Sequence, residues 1–184
     1  MKEQPHVMID LETLGIAQDA IFPIIGACIF SPSTGVITDT FYAHINQADQ
    51  QALGRTTTPA TIDWWKKQSD AAKREITKPG RPFKDVMDEF SAFLPAKCVV
   101  WGNGATFDIS ILENAFRMLD MQIPWMFWDV RDVRTLNDLA SRLPKPKRVE
   151  KGQFKFEGVA HNAADDARHQ ATYVSAMWQA LIKG

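Results

Sequence analysis

Hydrophobic residues recur along this chain with two different periods. Short apolar runs bounded by glycine, proline and polar clusters predict strands over 6–12, 21–30, 35–44 and 97–101, and another near 126–130. Apolar residues three and four apart predict helical stretches near 59–76 and 82–94 and helices over 107–120, 132–141 and 162–182. Three successive strands followed by alternating helix and strand describe an α/β fold, a mixed five-stranded sheet with helices on both faces. No repeat or compositional break divides the 184 residues, of which 45% are hydrophobic, so a single domain over 1–184 is expected.

Several acidic residues violate this pattern. In Val7-Met8-Ile9-Asp10-Leu11-Glu12 two carboxylates stand two residues apart in a strand, so they share one face of an otherwise apolar run. Like charges side by side in a half-buried place are unfavourable unless one is protonated or a cation lies between them. A lone D-x-E also fits a strand end that simply meets water, so the pair needs company. Asp108 supplies it. Four residues before Leu112, it heads the core-facing stripe of the 107–120 helix, just past a strand and the turn Gly102-Asn103-Gly104. The third piece is His161-Asn162-Ala163-Ala164-Asp165-Asp166-Ala167. Asn162 reads as the N-cap with Asp165 in the first turn, which leaves His161 on loop backbone and Asp166 inside the helix.

Four carboxylates and a histidine are the inventory of a two-metal phosphodiesterase. Hydrolysis at neutral pH needs an activated water and neutralisation of charge on the phosphate oxygens, which two Mg²⁺ or Mn²⁺ ions roughly 4 Å apart provide. Such ions take oxygen ligands, so Asp10, Glu12, Asp108 and Asp166 suit them. His161 is then the expected general base, because imidazole titrates near the working pH.

These residues resemble the motifs of the DEDDh branch of the DEDD 3′→5′ exonuclease superfamily. Asp10-Leu11-Glu12-Thr13-Leu14-Gly15 is similar to its D-x-E-T-x-G motif, and 161–167 to its H-x-A-x-x-D-A motif, which makes Asp166 rather than Asp165 the ligand. Asn103, five residues before Asp108, matches the oligoribonuclease spacing. Thr61-Ile62-Asp63-Trp64-Trp65 and Arg131-Asp132-Val133-Arg134-Thr135-Leu136 look like segments of RNase AS-like exoribonucleases. The resemblance covers essentially the whole chain. It implies an RNase H-like fold and release of nucleoside 5′-monophosphates from a 3′ end, with Thr13, Leu14, Asn103 and Phe107 beside the terminal nucleotide. It also implies a homodimer.

Charge changes the choice of substrate. A net charge of −1 and a pI near 6.4 lack the basic footprint of proteins that track long duplexes, which favours single strands or short 3′ overhangs. Aromatic stacking commonly holds such strands. Trp64 and Trp65 are the candidates and Trp65 is preferred, while Trp101, Trp125, Trp128 and Trp178 read as core or interface. The segment 142–155 carries six basic residues against one acidic, with two prolines and a glycine, and reads as a mobile basic arm at the site mouth. Cys28 and Cys98 read as packing residues. No apolar run is long enough to span a bilayer and the start lacks signal-peptide character, so a cytoplasmic location is expected, with no membrane partner. RNA is favoured on resemblance alone. The alternatives are a 3′→5′ exodeoxyribonuclease of repair, proofreading or phage DNA metabolism and, less well supported, a non-catalytic binding module of RNase H-like fold.

Overall fold

The computed structural model describes residues 4–159 and 161–182. At its centre is a mixed five-stranded sheet of β1 (His6–Glu12), β2 (Ile24–Phe30), β3 (Ile37–His44), β4 (Val99–Gly102) and β5 (Val130–Asp132), in spatial order β3-β2-β1-β4-β5. β2 is antiparallel to both β1 and β3, β4 is parallel to β1, and β5 is parallel to β4. The helices among the described residues are α1 (Gln47–Ala52), α2 (Pro59–Lys66), α3 (Asp70–Ile76), α4 (Phe83–Phe93), α5 (Asp108–Met118), α6 (Val133–Ser141) and α7 (Ala163–Ile182). The architecture is RNase H-like. None of these helices is long and apolar enough to cross a membrane.

Alternation along β1 divides the interior in two. Val7, Ile9 and Leu11 join Val86 and Phe90 of α4 and Leu112 and Phe116 of α5 in the larger core. Met8 faces the other way and packs with Val133 and Ala140 of α6 and Ala171 and Val174 of α7. Asp10 and Glu12 continue the row that begins with Met8, so they project from the end of the sheet face that α7 covers. Cys98 belongs to the first core and Cys28 to the second, where burial pushes their thiols up to about 11 and about 12. Both are packing residues.

Three expectations need correction. The single helical stretch near 59–76 is two helices, because Ser69 turns the chain and its hydroxyl accepts from the Ala72 N–H to cap α3. α1 was not expected; Asn46 starts it by accepting from the N–H groups of Ala48 and Asp49. The strand expected near 126–130 begins only at Val130. The preceding residues form a turn that leaves Met126, Phe127 and Trp128 56%, 80% and 59% exposed, so Trp128 is not core. An apolar run does not itself distinguish a buried strand from an exposed turn.

Contact between α7 and the sheet depends on Gly26 of β2, which lies opposite Asp10 in register. A Cβ at Gly26 would come within 2.1 Å of the Ala163 carbonyl carbon and 2.3 Å of the Ala164 nitrogen. Backbone cannot yield as a side chain can. The glycine, with Ala163, Ala164 and Ala167, therefore lets the first turn of α7 lie directly on β2. Gly26→Ala is expected to lower stability by about 1–3 kcal/mol and to weaken Mn²⁺ binding, because the start of α7 must lift. Denaturant unfolding and calorimetric titration would measure these effects; a variant with wild-type values in both would show that this contact is not needed.

Candidate active site

The carboxylates converge at one end of β1. Ligand oxygens of Asp10, Glu12 and Asp166 all lie within 4.8 Å of one another, a spacing that a divalent cation could bridge. Asp108, 5% exposed at the head of α5, aims at the same strand, where its Oδ1 accepts from the Leu11 N–H at 3.3 Å. That bond ties the α5 carboxylate to the strand carrying the other two. The Asp166 Oδ2 is buried with no hydrogen-bond partner in the protein, an arrangement that a cation would satisfy.

Burial is the main electrostatic influence on all four groups. It raises Asp10 well above the carboxylate range, reinforced by the charges of Asp108, Glu12 and Asp166 and opposed by a hydrogen bond from Gln170. Burial and then the charges of Asp166 and Asp108 raise Glu12 to about 8. Asp108 rises to about 7 despite backbone N–H donors, and Asp166 to about 6 despite the neighbouring His161. A metal would have to displace the protons that Asp10 and Glu12 retain near neutrality.

His161 stands just before α7 with φ of +64°, so its ring leaves the chain from left-handed backbone. Two tryptophans of α2 hold it edge to face, Trp64 at 5.3 Å and Trp65 at 5.9 Å between ring centroids. Asn162 caps α7 through Oδ1, which accepts from the N–H groups of Ala164 and Asp165 at 3.2 Å. Asp165 turns away from the cluster and receives the Val159 N–H and Arg168.

The two tryptophans occupy different environments. Trp65 is 5% exposed and its indole N–H donates to the Thr13 carbonyl at 2.8 Å, whereas Trp64 is 44% exposed. Leu14 and Trp65 nevertheless line a largely apolar cleft of about 340 Å³ with Ile62 and Ile76, and Lys66 and Lys73 also border it. Thr13 is buried, its hydroxyl donating to the Gly15 carbonyl. Asn103 is half-buried in the turn before α5, and Phe107, which ends that turn, packs partly against the larger core. The basic segment after α6 is seated rather than loose. Val149 and Phe154 pack on the second core, while Arg142 pairs with Asp138 and Arg148 with Glu150.

Sequence reading missed Gln170, which lies four residues after Asp166 on α7, one helical turn along the same face. It is 5% exposed, and its Nε2 donates to Asp10 Oδ1 at 2.8 Å. One oxygen of Asp10 is thereby fixed and the other left for a ligand.

An RNase H-like sheet with four clustered carboxylates and a histidine at one end defines the DEDDh class of 3′→5′ exonuclease. A family model described as the 3′-5′ exoribonuclease Rv2179c-like domain matches residues 5–178, and the chain belongs to that family. An exodeoxyribonuclease of Enterobacteria phage T4 is 26% identical over 195 aligned positions, covering 86% of this chain and 84% of that protein. Among solved structures, the nuclease domain of 3′hExo, a DEDDh family member bound to rAMP, is similar with a TM-score of 0.65 at 14% identity, covering 100% of this chain and 94% of that one. E. coli exonuclease I in complex with a dT13 oligonucleotide is similar with a TM-score of 0.65 at 16% identity, covering 98% of this chain but 41% of that enzyme.

Two predictions concern the carboxylates. Carboxyls raised by folding hold protons that the unfolded chain has lost, so the stability of metal-free protein should fall as pH rises from about 5 through 8. Added Mn²⁺ should raise the melting temperature more at pH 8 than at pH 6. Thermal melts with EDTA and with Mn²⁺ would check both, and a flat metal-free profile would contradict the proton retention. Gln170→Met should weaken Mn²⁺ binding about 10-fold or more, measured by calorimetry; unchanged affinity would make its bond to Asp10 incidental.

Proposed function

We propose that this protein is a metal-dependent 3′→5′ exonuclease, one domain over 1–184, that releases nucleoside 5′-monophosphates from single-stranded 3′ ends, with RNA preferred over DNA. The convergence of Asp10, Glu12 and Asp166 within 4.8 Å, with Asp108 bonded to the same strand, is the observation that carries this reading. The donor set suits two Mg²⁺ or Mn²⁺ ions held by Asp10, Glu12, Asp108 and Asp166. When bound, such ions acidify a water and neutralise charge gathering on the phosphate.

The protein's own part is positioning and proton transfer. A ring nitrogen of His161 takes the proton from the attacking water, while the edge contacts with Trp64 and Trp65 keep the imidazole from turning away. Gln170 holds Asp10 in one orientation. The cleft lined by Leu14 and Trp65 offers an apolar wall to a base, and the exposed face of Trp64 a stacking surface. Thr13 shapes the strand end beside that cleft, where its carbonyl receives the Trp65 indole N–H, and Asn103 and Phe107 lie in the turn that leads to Asp108. The preference for RNA is supported by the family's description as exoribonucleases. The phage T4 relative supports the second reading, an exodeoxyribonuclease built on the same site. A homodimer also belongs to the reading, supported by the exposed patch of Met126, Phe127 and Trp128.

Matched 5′-labelled RNA and DNA single strands, incubated with Mn²⁺ or Mg²⁺ and an EDTA control and resolved at single nucleotides, test the substrate. Stepwise shortening of RNA is expected; shortening of DNA alone would favour the second reading, and of neither would defeat both. Asp10→Ala with Glu12→Ala should abolish metal-dependent turnover. His161→Ala should slow turnover about 10²–10⁴-fold while Mn²⁺ and strand binding persist. Lost binding with normal turnover at saturation would make His161 a positioning residue.

A further inference from the structure

We propose that Arg134 is the phosphate-binding arginine of this site, donating its guanidinium N–H groups to the non-bridging oxygens of the 3′-terminal nucleotide's phosphate. This rests on the exonuclease reading and adds to it a residue outside the carboxylate and histidine set.

The start of α6 is tied to the turn before α5. Asp132 caps that helix, its Oδ1 accepting from the Thr135 N–H at 2.9 Å, and its Oδ2 accepts the Ala105 N–H at 2.7 Å. One carboxylate therefore ties the N-terminus of α6 to the turn that delivers Asn103 and Asp108. The tie brings Arg134 onto that turn. Gly104 has φ of +108°, and a Cβ there would lie 3.1 Å from the Arg134 guanidinium carbon and 3.2 Å from Nη2. The guanidinium thus rests close against this backbone position, where a Cβ would make it give way by a few tenths of an ångström.

Its neighbours give it no anionic partner. Arg117, Arg142, Arg148 and Arg168 each pair with a carboxylate within 4 Å, whereas among the described residues Arg134 forms no ion pair or side-chain hydrogen bond. Both oxygens of Asp132 are already occupied by N–H donors. The charge is nevertheless felt in the site, at Asp108 and at the Tyr173 hydroxyl, and Tyr173 also senses Asp10 and Asp166. A solvent-facing cation with five N–H donors beside a metal-binding carboxylate cluster is suited to a planar, two-point grip on phosphate. His161 is held by α2 and Arg134 by the turn before α5, so the proton acceptor and the phosphate clamp come from separate elements.

Inhibition by adenosine 5′-monophosphate, compared with adenosine, in wild type, Arg134→Ala and Arg134→Lys tests this. The alanine variant should raise the inhibition constant of the monophosphate about 10- to 100-fold and leave that of adenosine unchanged. Lysine, which keeps the charge but not the fork, should recover part of the loss. Melting temperature should stay at the wild-type value. An unmoved monophosphate constant in an enzyme that still degrades nucleic acid overturns the assignment and leaves the exonuclease reading intact. Altered Mn²⁺ affinity with unmoved monophosphate inhibition also overturns it, making Arg134 a tuner of the carboxylates. Absence of both turnover and monophosphate binding in wild type would remove the exonuclease reading and this inference together.

Discussion

Mutual repulsion among buried carboxylates is the constraint around which this molecule is organised. Asp10, Glu12, Asp108 and Asp166 are each desolvated, and each is raised out of the range where carboxylates normally ionise. Placing such groups together costs stability, and the apolar cores must offset that cost. A fully buried side chain such as Ile9 or Phe116 contributes about 1.5–3 kcal/mol toward that offset. The fold therefore stores a demand for positive charge at one point on its surface, which is the physical basis for reading the site as metal-dependent.

The demand is focused because three of the four acids are each held by a different means. Asp10 is restrained by the amide of Gln170, Asp108 by the Leu11 N–H, and Asp166 by the helix that begins beside Gly26. These restraints come from α7, β1 and β2, so the geometry belongs to the packed assembly and to no single motif. The histidine is handled differently. Its contacts are aromatic edges, which limit where the ring can lie and do not occupy its nitrogens with a fixed partner. The site thus combines tightly held carboxylates with an imidazole confined by ring edges.

Much of this was legible in the residues themselves. Alternation along 6–12 gave β1 and the shared face of Asp10 and Glu12, and the helical stripe through Leu112 gave the inward aim of Asp108. Strand order, by contrast, depends on which apolar runs find each other. The turn at 126–129 showed that an apolar run can lie on the surface, because its backbone finds hydrogen bonds outside the sheet, as when Arg131 donates to the Trp128 carbonyl. Gln170 escaped notice because a single amide on a helix has no sequence signature; its meaning comes from what lies across the gap. Gly26 did have one. A glycine interrupting Ile24-Ile25-Gly26-Ala27-Cys28 is the mark of another backbone passing close by.

Asp10 and Glu12 belong to the first strand and Asp166 and Gln170 to the last helix, with Asp108 between them. A chain made from its N-terminus onward has the first pair of acids in hand long before α7 exists to complete the set. Until then Asp10 lacks its amide partner and the cluster lacks one of its four acids. The four acids thus come together only once the last of these helices has been made.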